Sequence, residues 1–172
     1  MISPIPLYNF NKDSPRQREI LFYSEWKENL LQVRYEIQPT DNVVWPIQQT
    51  PVRKYELWKS TCFEFFLSRK SCKEYLEFNI SPSGSWDAYT FLDYRTPSQP
   101  VRYSAVELLE FNQTPNAITA CFKFLDSEIK SKCEANITAV IEDDLGLHYY
   151  AHKHASDKPD FHHRPSVCIE FN

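Results

Sequence analysis

A chain of 172 residues with 19 basic and 23 acidic side chains, a net charge of -4 and 42% apolar residues has the size of one domain and enough apolar material to bury a core. Its 12 Phe, 10 Tyr and 4 Trp argue against disorder and favour strands. No apolar run approaches the roughly 18 residues of a membrane helix, and an acidic balance without a concentrated basic patch argues against a nucleic-acid partner.

The opening stretch, MISPIPLYNFNKDSPRQRE, lacks the charged leader and apolar core of a secretory signal, so the expected location is cytoplasmic. Strands are expected at 20–26 and 31–37, hinged on Glu28-Asn29; in the second, Leu31, Val33, Tyr35 and Ile37 alternate with Gln32, Arg34 and Glu36. Residues 39–57, with Trp45, Pro46 and Pro51, form an irregular loop of the length that either carries function or covers a sandwich end. Two strands, separated by Ser68 to Glu74, then precede a turn at Ser81-Pro82-Ser83-Gly84, with proline at the second position and glycine at the fourth. Further strands are expected at 86–94, 101–111, 117–125, 135–142, 147–154 and 167–171, with a short helical piece at 126–132 and a hairpin at Asp143-Asp144-Leu145-Gly146.

Roughly nine strands at this spacing, with turn signals between them, predict an antiparallel β-sandwich or barrel in a single domain spanning 1–172. The five cysteines, Cys62, Cys72, Cys121, Cys133 and Cys168, show no C-x-x-C pair and are expected as reduced thiols, mostly in the core. With two glycines in the chain, no phosphate-cradling glycine loop exists, and Ser81, Ser83 and Ser85 do not form a nucleophile elbow.

The segment 61–95 carries the most information. In its first strand Thr61, Phe63, Phe65 and Leu67 share one parity and Cys62, Glu64 and Phe66 the other; in its second, Leu76, Phe78 and Ile80 oppose Tyr75, Glu77 and Asn79. One face therefore collects two carboxyls and an amide beside aromatic rings. Such a set suits a small polar ligand, with Glu64 and Glu77 as acceptors and Asn79 as donor and acceptor. The same pair could serve as the two carboxylates of a glycoside-processing enzyme, or be locked to Arg34, Arg53, Arg95 or Arg102, or belong to a face that docks a protein. All five histidines lie between His148 and His163, and His148, Tyr150, His152 and His154 share a parity, which leaves metal or haem binding as a further alternative. Asp157 to His163, with Asp160 and Phe161, reads as a ligand rim or as a plain turn.

The runs ELWKSTCFEFFL, YLEFNISPSGSWDAYTFLDYR, AVIEDDLGLHYYAHKH and KPDFHHRPS, in this order over about residues 7–172, resemble a family of bacterial proteins described as DOMON-like, similar in fold to family 9 carbohydrate-binding modules. The resemblance implies a jelly-roll-like sandwich and non-catalytic saccharide binding, with no cofactor and no metal. In those modules a tryptophan precedes a strand holding a glutamate between apolar residues, a pattern that Trp58 and Glu64 match; the next strand's polar positions match Glu77 and Asn79. The modules hold a sugar between two aromatic faces, and Trp86 and Trp45 are the sequence's candidates for the second. Tyr89, Arg95, Asp160 and His162 complete the expected ligand-binding set. Haem-binding members use a methionine and a histidine, whereas the only methionine here is Met1.

Overall fold

Period-two alternation of large apolar residues is what lets this chain fold as strands with a shared interior. The computed structural model describes residues 4–126 and 133–163 and the backbone of Ile169–Glu170. Its strands are β1 (Ile5–Asn9), β2 (Glu19–Lys27), β3 (Leu30–Gln38), β4 (Cys62–Arg69), β5 (Tyr75–Ile80), β6 (Trp86–Phe91), β7 (Val101–Arg102), β8 (Val106–Thr114), β9 (Ala117–Phe124), β10 (Cys133–Asp143), β11 (Gly146–Ala151) and β12 (Ile169–Glu170), and a 3-10 turn lies at Leu57–Lys59. The expected piece at 126–132, apart from Asp126, and the expected strand at 167–171, apart from Ile169–Glu170, lie outside the described residues.

The strands follow one hydrogen-bonded path, β7-β6-β5-β4-β10-β11-β1-β2-β3-β9-β8, with β12 beside β10, and the pairs along it are antiparallel. The path curls into two facing layers, and β1 belongs to both. Its Ile5, Pro6 and Leu7 pair with Phe22, Leu21 and Ile20 of β2, while Tyr8 and Asn9 pair with Ala151 and Tyr150 of β11. The result is the antiparallel β-sandwich that the strand spacing predicts.

Between the layers the expected inward parities meet. Phe63, Phe65, Leu67, Phe78 and Ile80 pack with Phe22, Leu31, Val33, Tyr35 and Phe122 in one core. Rings interlock across the gap: Tyr35 lies 4.8 Å from Phe63, and Phe122 lies 5.9 Å from Phe65 and 5.2 Å from Phe78. The Tyr35 hydroxyl donates to the Glu64 carbonyl at 2.7 Å, so the far layer holds the main chain of β4 in place. The turn before β6 closes as expected, the Gly84 amide donating to Ser81 O at 3.0 Å with Gly84 at φ +91°.

Several sequence expectations are corrected. β1 was not among the predicted strands, because Pro6 interrupts its pattern. The strand expected at 101–111 is two, β7 and β8, separated by residues 103–105. The strand expected at 147–154 ends at Ala151, so His152 and His154 lie beyond it. Cys62 and Cys133 are buried as expected, but Cys72 and Cys121 are only half-buried.

The irregular segment 39–57 covers a sandwich end. Val43 and Trp45 pack against the core, and the Trp45 indole donates to Thr114 O at 3.1 Å. The chain then runs along β6, where Val52 and Lys54 exchange main-chain hydrogen bonds with Trp86. Arg53 pins this run: its guanidinium reaches Asp87 at 2.9 Å and Tyr103 O at 2.7 Å. Asp87 is fully buried and also binds Arg102 at 2.8 Å. Replacing Asp87 with Ala should therefore cost about 2 kcal/mol, less than the 3–5 of a fully buried pair because both arginines keep solvent contact. Urea unfolding at neutral pH measures it, and a change below about 0.5 kcal/mol would show that the anchor is idle.

Candidate functional site

Both faces of β4, β5 and β6 are buried, one by the facing layer and the other by loops. Over the second face sits a pocket of about 380 Å³, lined among others by Tyr55, Trp58, Glu64, Phe66, Glu77, Phe91, Arg95, Tyr149, Phe161 and His162. Strand register explains its floor. Glu64 pairs with Asn79, Phe66 with Glu77, and Asn79 with Asp87, so Glu64 and Glu77 are diagonal neighbours on adjacent strands, roughly 7–8 Å apart in the main chain.

The walls come largely from irregular segments. On one side Leu57–Lys59 presents Trp58, edge-on to Tyr55 at 5.4 Å and to Tyr89 at 6.1 Å. On the other, Tyr149 of β11 meets Phe161 edge-on at 6.1 Å. Glu56 at φ +59° and Arg95 at φ +47° hold left-handed backbone that non-glycine residues rarely adopt, and both flank the pocket. Arg95 donates to Asp160 at 3.0 Å, as does the Tyr94 hydroxyl at 2.6 Å. Burial would raise Asp160, but these donors outweigh it and hold the carboxyl below its usual range.

The floor's polar groups are largely bonded to one another. Asn79 donates to Glu77 Oε1 at 2.7 Å, and Thr138 donates to Glu64 Oε2 at 3.3 Å. The Cys62 thiol faces Asn79 Oδ1 at 3.8 Å. His162 places Nε2 3.7 Å from Glu77 and Nδ1 2.7 Å from the Tyr75 hydroxyl. Glu64 is 3% exposed and Glu77 5%, and burial is the main force on both. It raises Glu64 well above the usual carboxylate range, reinforced by the charge of Glu77. It raises Glu77 to about 7, against the Asn79 hydrogen bond and the Arg95 charge. Both carboxyls thus hold their protons to higher pH than solvated carboxylates do.

The expected ligand-binding residues sit as follows. Trp58, Glu64, Glu77, Arg95 and His162 line the pocket; Asn79 lies under Glu77, Tyr89 under Trp58, and Asp160 behind Arg95. Trp86 is on the opposite face. It pairs with Ile80, an inward position, and packs on Phe122 at 5.4 Å; Trp45 likewise faces Phe63 in the core. Neither stands across the pocket from Trp58, where Tyr149 and Phe161 are. Tyr149 was legible in principle, since its register partner Val140 also pairs with Cys62, Glu64's face-mate. Tyr55 sits in a stretch with no periodic signal.

The arginine alternatives resolve differently from each other. Arg34 pairs with Glu36, Arg53 and Arg102 with Asp87, and Arg95 with Asp160; among the described residues no lysine or arginine ion-pairs with Glu64 or Glu77. Nor do the histidines converge. His148 donates to Asp143 at 2.9 Å, His152 to Pro6 O at 3.0 Å and His154 to Tyr8 O at 2.8 Å. Among the described residues no three of His, Cys, Asp and Glu gather around a common point for an ion.

The architecture is similar to that of several solved proteins. One, from Bacteroides uniformis and classed provisionally as carbohydrate-binding, superposes with a TM-score of 0.69 over 99% of this chain and 87% of its own, at 14% identity. A family 9 carbohydrate-binding module from Caldicellulosiruptor kristjanssonii matches in its glucose complex with a TM-score of 0.53, covering 92% of this chain and 78% of that one, at 11% identity. In its cellotriose complex the TM-score is 0.57, with 98% and 80% covered, again at 11% identity. At such identities the likeness is one of fold. No protein-family model matches the sequence, and no curated protein matches it.

Proposed function

We propose that this chain is a non-catalytic domain that binds a saccharide in the pocket above β4 and β5. The carrying observation is the joint placement of two buried carboxyls, Glu64 and Glu77, at the floor, with Asn79 beneath holding Glu77, between aromatic walls, Trp58 on one side and Tyr149 with Phe161 on the other. Sugar rings need this combination: hydroxyls exchange hydrogen bonds with a few fixed polar groups, while the C–H faces lie on aromatic surface. The shared sandwich fold of carbohydrate-binding neighbours supports the same reading, and the DOMON-like affiliation, the extent of the domain over 1–172 and a cytoplasmic location belong to this proposal. Trp58 is the wall and Glu77 with Asn79 the orienting pair.

Titration of the purified protein against a panel of mono- and oligosaccharides, followed by tryptophan fluorescence and calorimetry, should reveal a ligand at millimolar concentration or below. Trp58→Ala, Glu77→Ala and Asn79→Ala should each weaken it about tenfold or more, roughly 1.4 kcal/mol, while the circular dichroism stays unchanged. Absence of binding across the panel, or affinity indifferent to all three substitutions, would remove the saccharide reading.

A further inference from the structure

The chain treats its buried acids in two ways. Asp143 is held by Arg18 at 2.8 Å and by His148 at 2.9 Å; Asp87 is held by Arg53 and Arg102 at 2.9 and 2.8 Å. Burying a carboxylate is costly unless a cation accompanies it, and both of these comply. Glu64 and Glu77 are buried as deeply, yet among the described residues no lysine or arginine pairs with either. The cations nearby are committed elsewhere: Arg95 to Asp160 at 3.0 Å and Lys59, at the pocket wall, to Glu56 at 2.7 Å. Among the described residues, the ionisable neighbours around the two carboxyls are Cys62 on their own strand face, Asp87 and Tyr89 on β6, Tyr75 on β5, Tyr149 on β11, Tyr55 and Lys59 at the wall, Asp160 and His162 on the rim loop and Arg95 opposite; β10 contributes the neutral Thr138. Of these, His162 lies 3.7 Å from Glu77.

We propose that the saccharide taken by this pocket carries a free primary ammonium, as an unsubstituted 2-amino-2-deoxyhexose does, and that the ammonium seats against Glu64 and Glu77 as the cation that no described lysine or arginine supplies there. The inference rests on the saccharide reading and narrows it. An ammonium brings three donors to two carboxyls, and in a site shielded from water its attraction to them exceeds what a hydroxyl offers. Burial raises both carboxyls, so an ammonium, which favours their charged forms, should draw protons off them on entry, whereas a neutral hexose should not.

The test is calorimetry at about pH 6.5, where a sugar amine is protonated, with glucose, glucosamine and N-acetylglucosamine and the same three galactose sugars. In at least one series the amino sugar should bind about tenfold tighter than the hexose, and N-acetylation should abolish the gain. Buffers of different ionisation enthalpy should reveal proton release with the amino sugar alone. In Glu64→Gln and Glu77→Gln, which keep side-chain shape, the amino-to-neutral ratio should fall towards one. Equal binding of hexose and amino sugar in the native protein would overturn the ammonium proposal and leave the saccharide pocket standing; so would a preference that survives both substitutions. If neither neutral nor amino sugars bind, here or across the wider panel, both proposals fall.

Discussion

Glu77→Gln is expected to melt about 6–12 °C above the native protein at pH 8 and to match it near pH 4.5, and Glu64→Gln to shift in the same direction. A glutamate whose folded value stands at about 7, against an ordinary 4.5, binds more protons in the folded chain than in the unfolded one over that interval. Stability from such a group is fully present below about 4.5 and is lost as pH rises through the folded value. For Glu77 the difference corresponds to about 3 kcal/mol once both states are ionised, and a domain of this size shifts by roughly 2–4 °C per kcal/mol. Glu64 is raised in the same direction by burial and by Glu77, so removing either charge relieves the other. Glutamine keeps an oxygen for the Asn79 or Thr138 hydrogen bond and gives up only the ionisation. Scanning calorimetry from pH 4.5 to 8 checks this. A native protein that gains stability over that range, with the variants parallel to it, would mean that the floor carboxylates ionise without penalty. A gain in stability combined with a loss of ligand would mark the two glutamates as kept for binding at the expense of the fold.

Phe78→Ala should destabilise the protein by about 3–5 kcal/mol, lowering its melting temperature by roughly 10 °C. Phe78 is fully buried on the reverse side of β5 from Glu77. Its ring stacks on Phe65 at 4.4 Å with planes 8° apart and meets Phe122 and Phe124 of the facing layer at 5.2 and 5.8 Å. Truncation removes a large apolar surface from the interior and opens a void bounded by three rigid rings, which cannot collapse into it without leaving their rotamers. Urea unfolding gives the loss directly, with the slope against denaturant unchanged if cooperativity survives. A loss under about 1 kcal/mol would imply that the layers close over the gap.

How much of this was legible in the chain follows from where its residues obey a period. Between 61 and 95 the alternation of apolar and polar positions placed Glu64, Glu77 and Asn79 on one face, and the structure keeps that parity. Trp86 went astray because its face depends on hairpin register: paired with Ile80, it must point inward. The histidine row failed for a different reason. Alternation continues in the sequence past Ala151, but β11 does not, so His152 and His154 are free to donate to carbonyls of β1. Of the pocket's walls, Trp58 was named through the resemblance and Phe161 as part of a rim, whereas Tyr55 sits in a segment without a repeating pattern and reaches the pocket only through tertiary contacts such as the Arg53–Asp87 pair.

The double membership of β1 adds a route to self-association beyond the outer strands β7 and β8 that end the path. Ile5, Pro6 and Leu7 of β1 cover one end of β2, and its Tyr8 and Asn9 cover one end of β11. If β1 peels away, the continuous array becomes two separate sheets, each ending in a bare row of amides and carbonyls that a second copy can extend strand by strand. Pro6, which hid β1 from the period-two pattern, offers no amide of its own to a neighbouring strand, and the His152 and His154 rings hold the Pro6 and Tyr8 carbonyls. The histidines that looked like a metal cluster thus act as clasps on the strand whose loss would open the protein to aggregation.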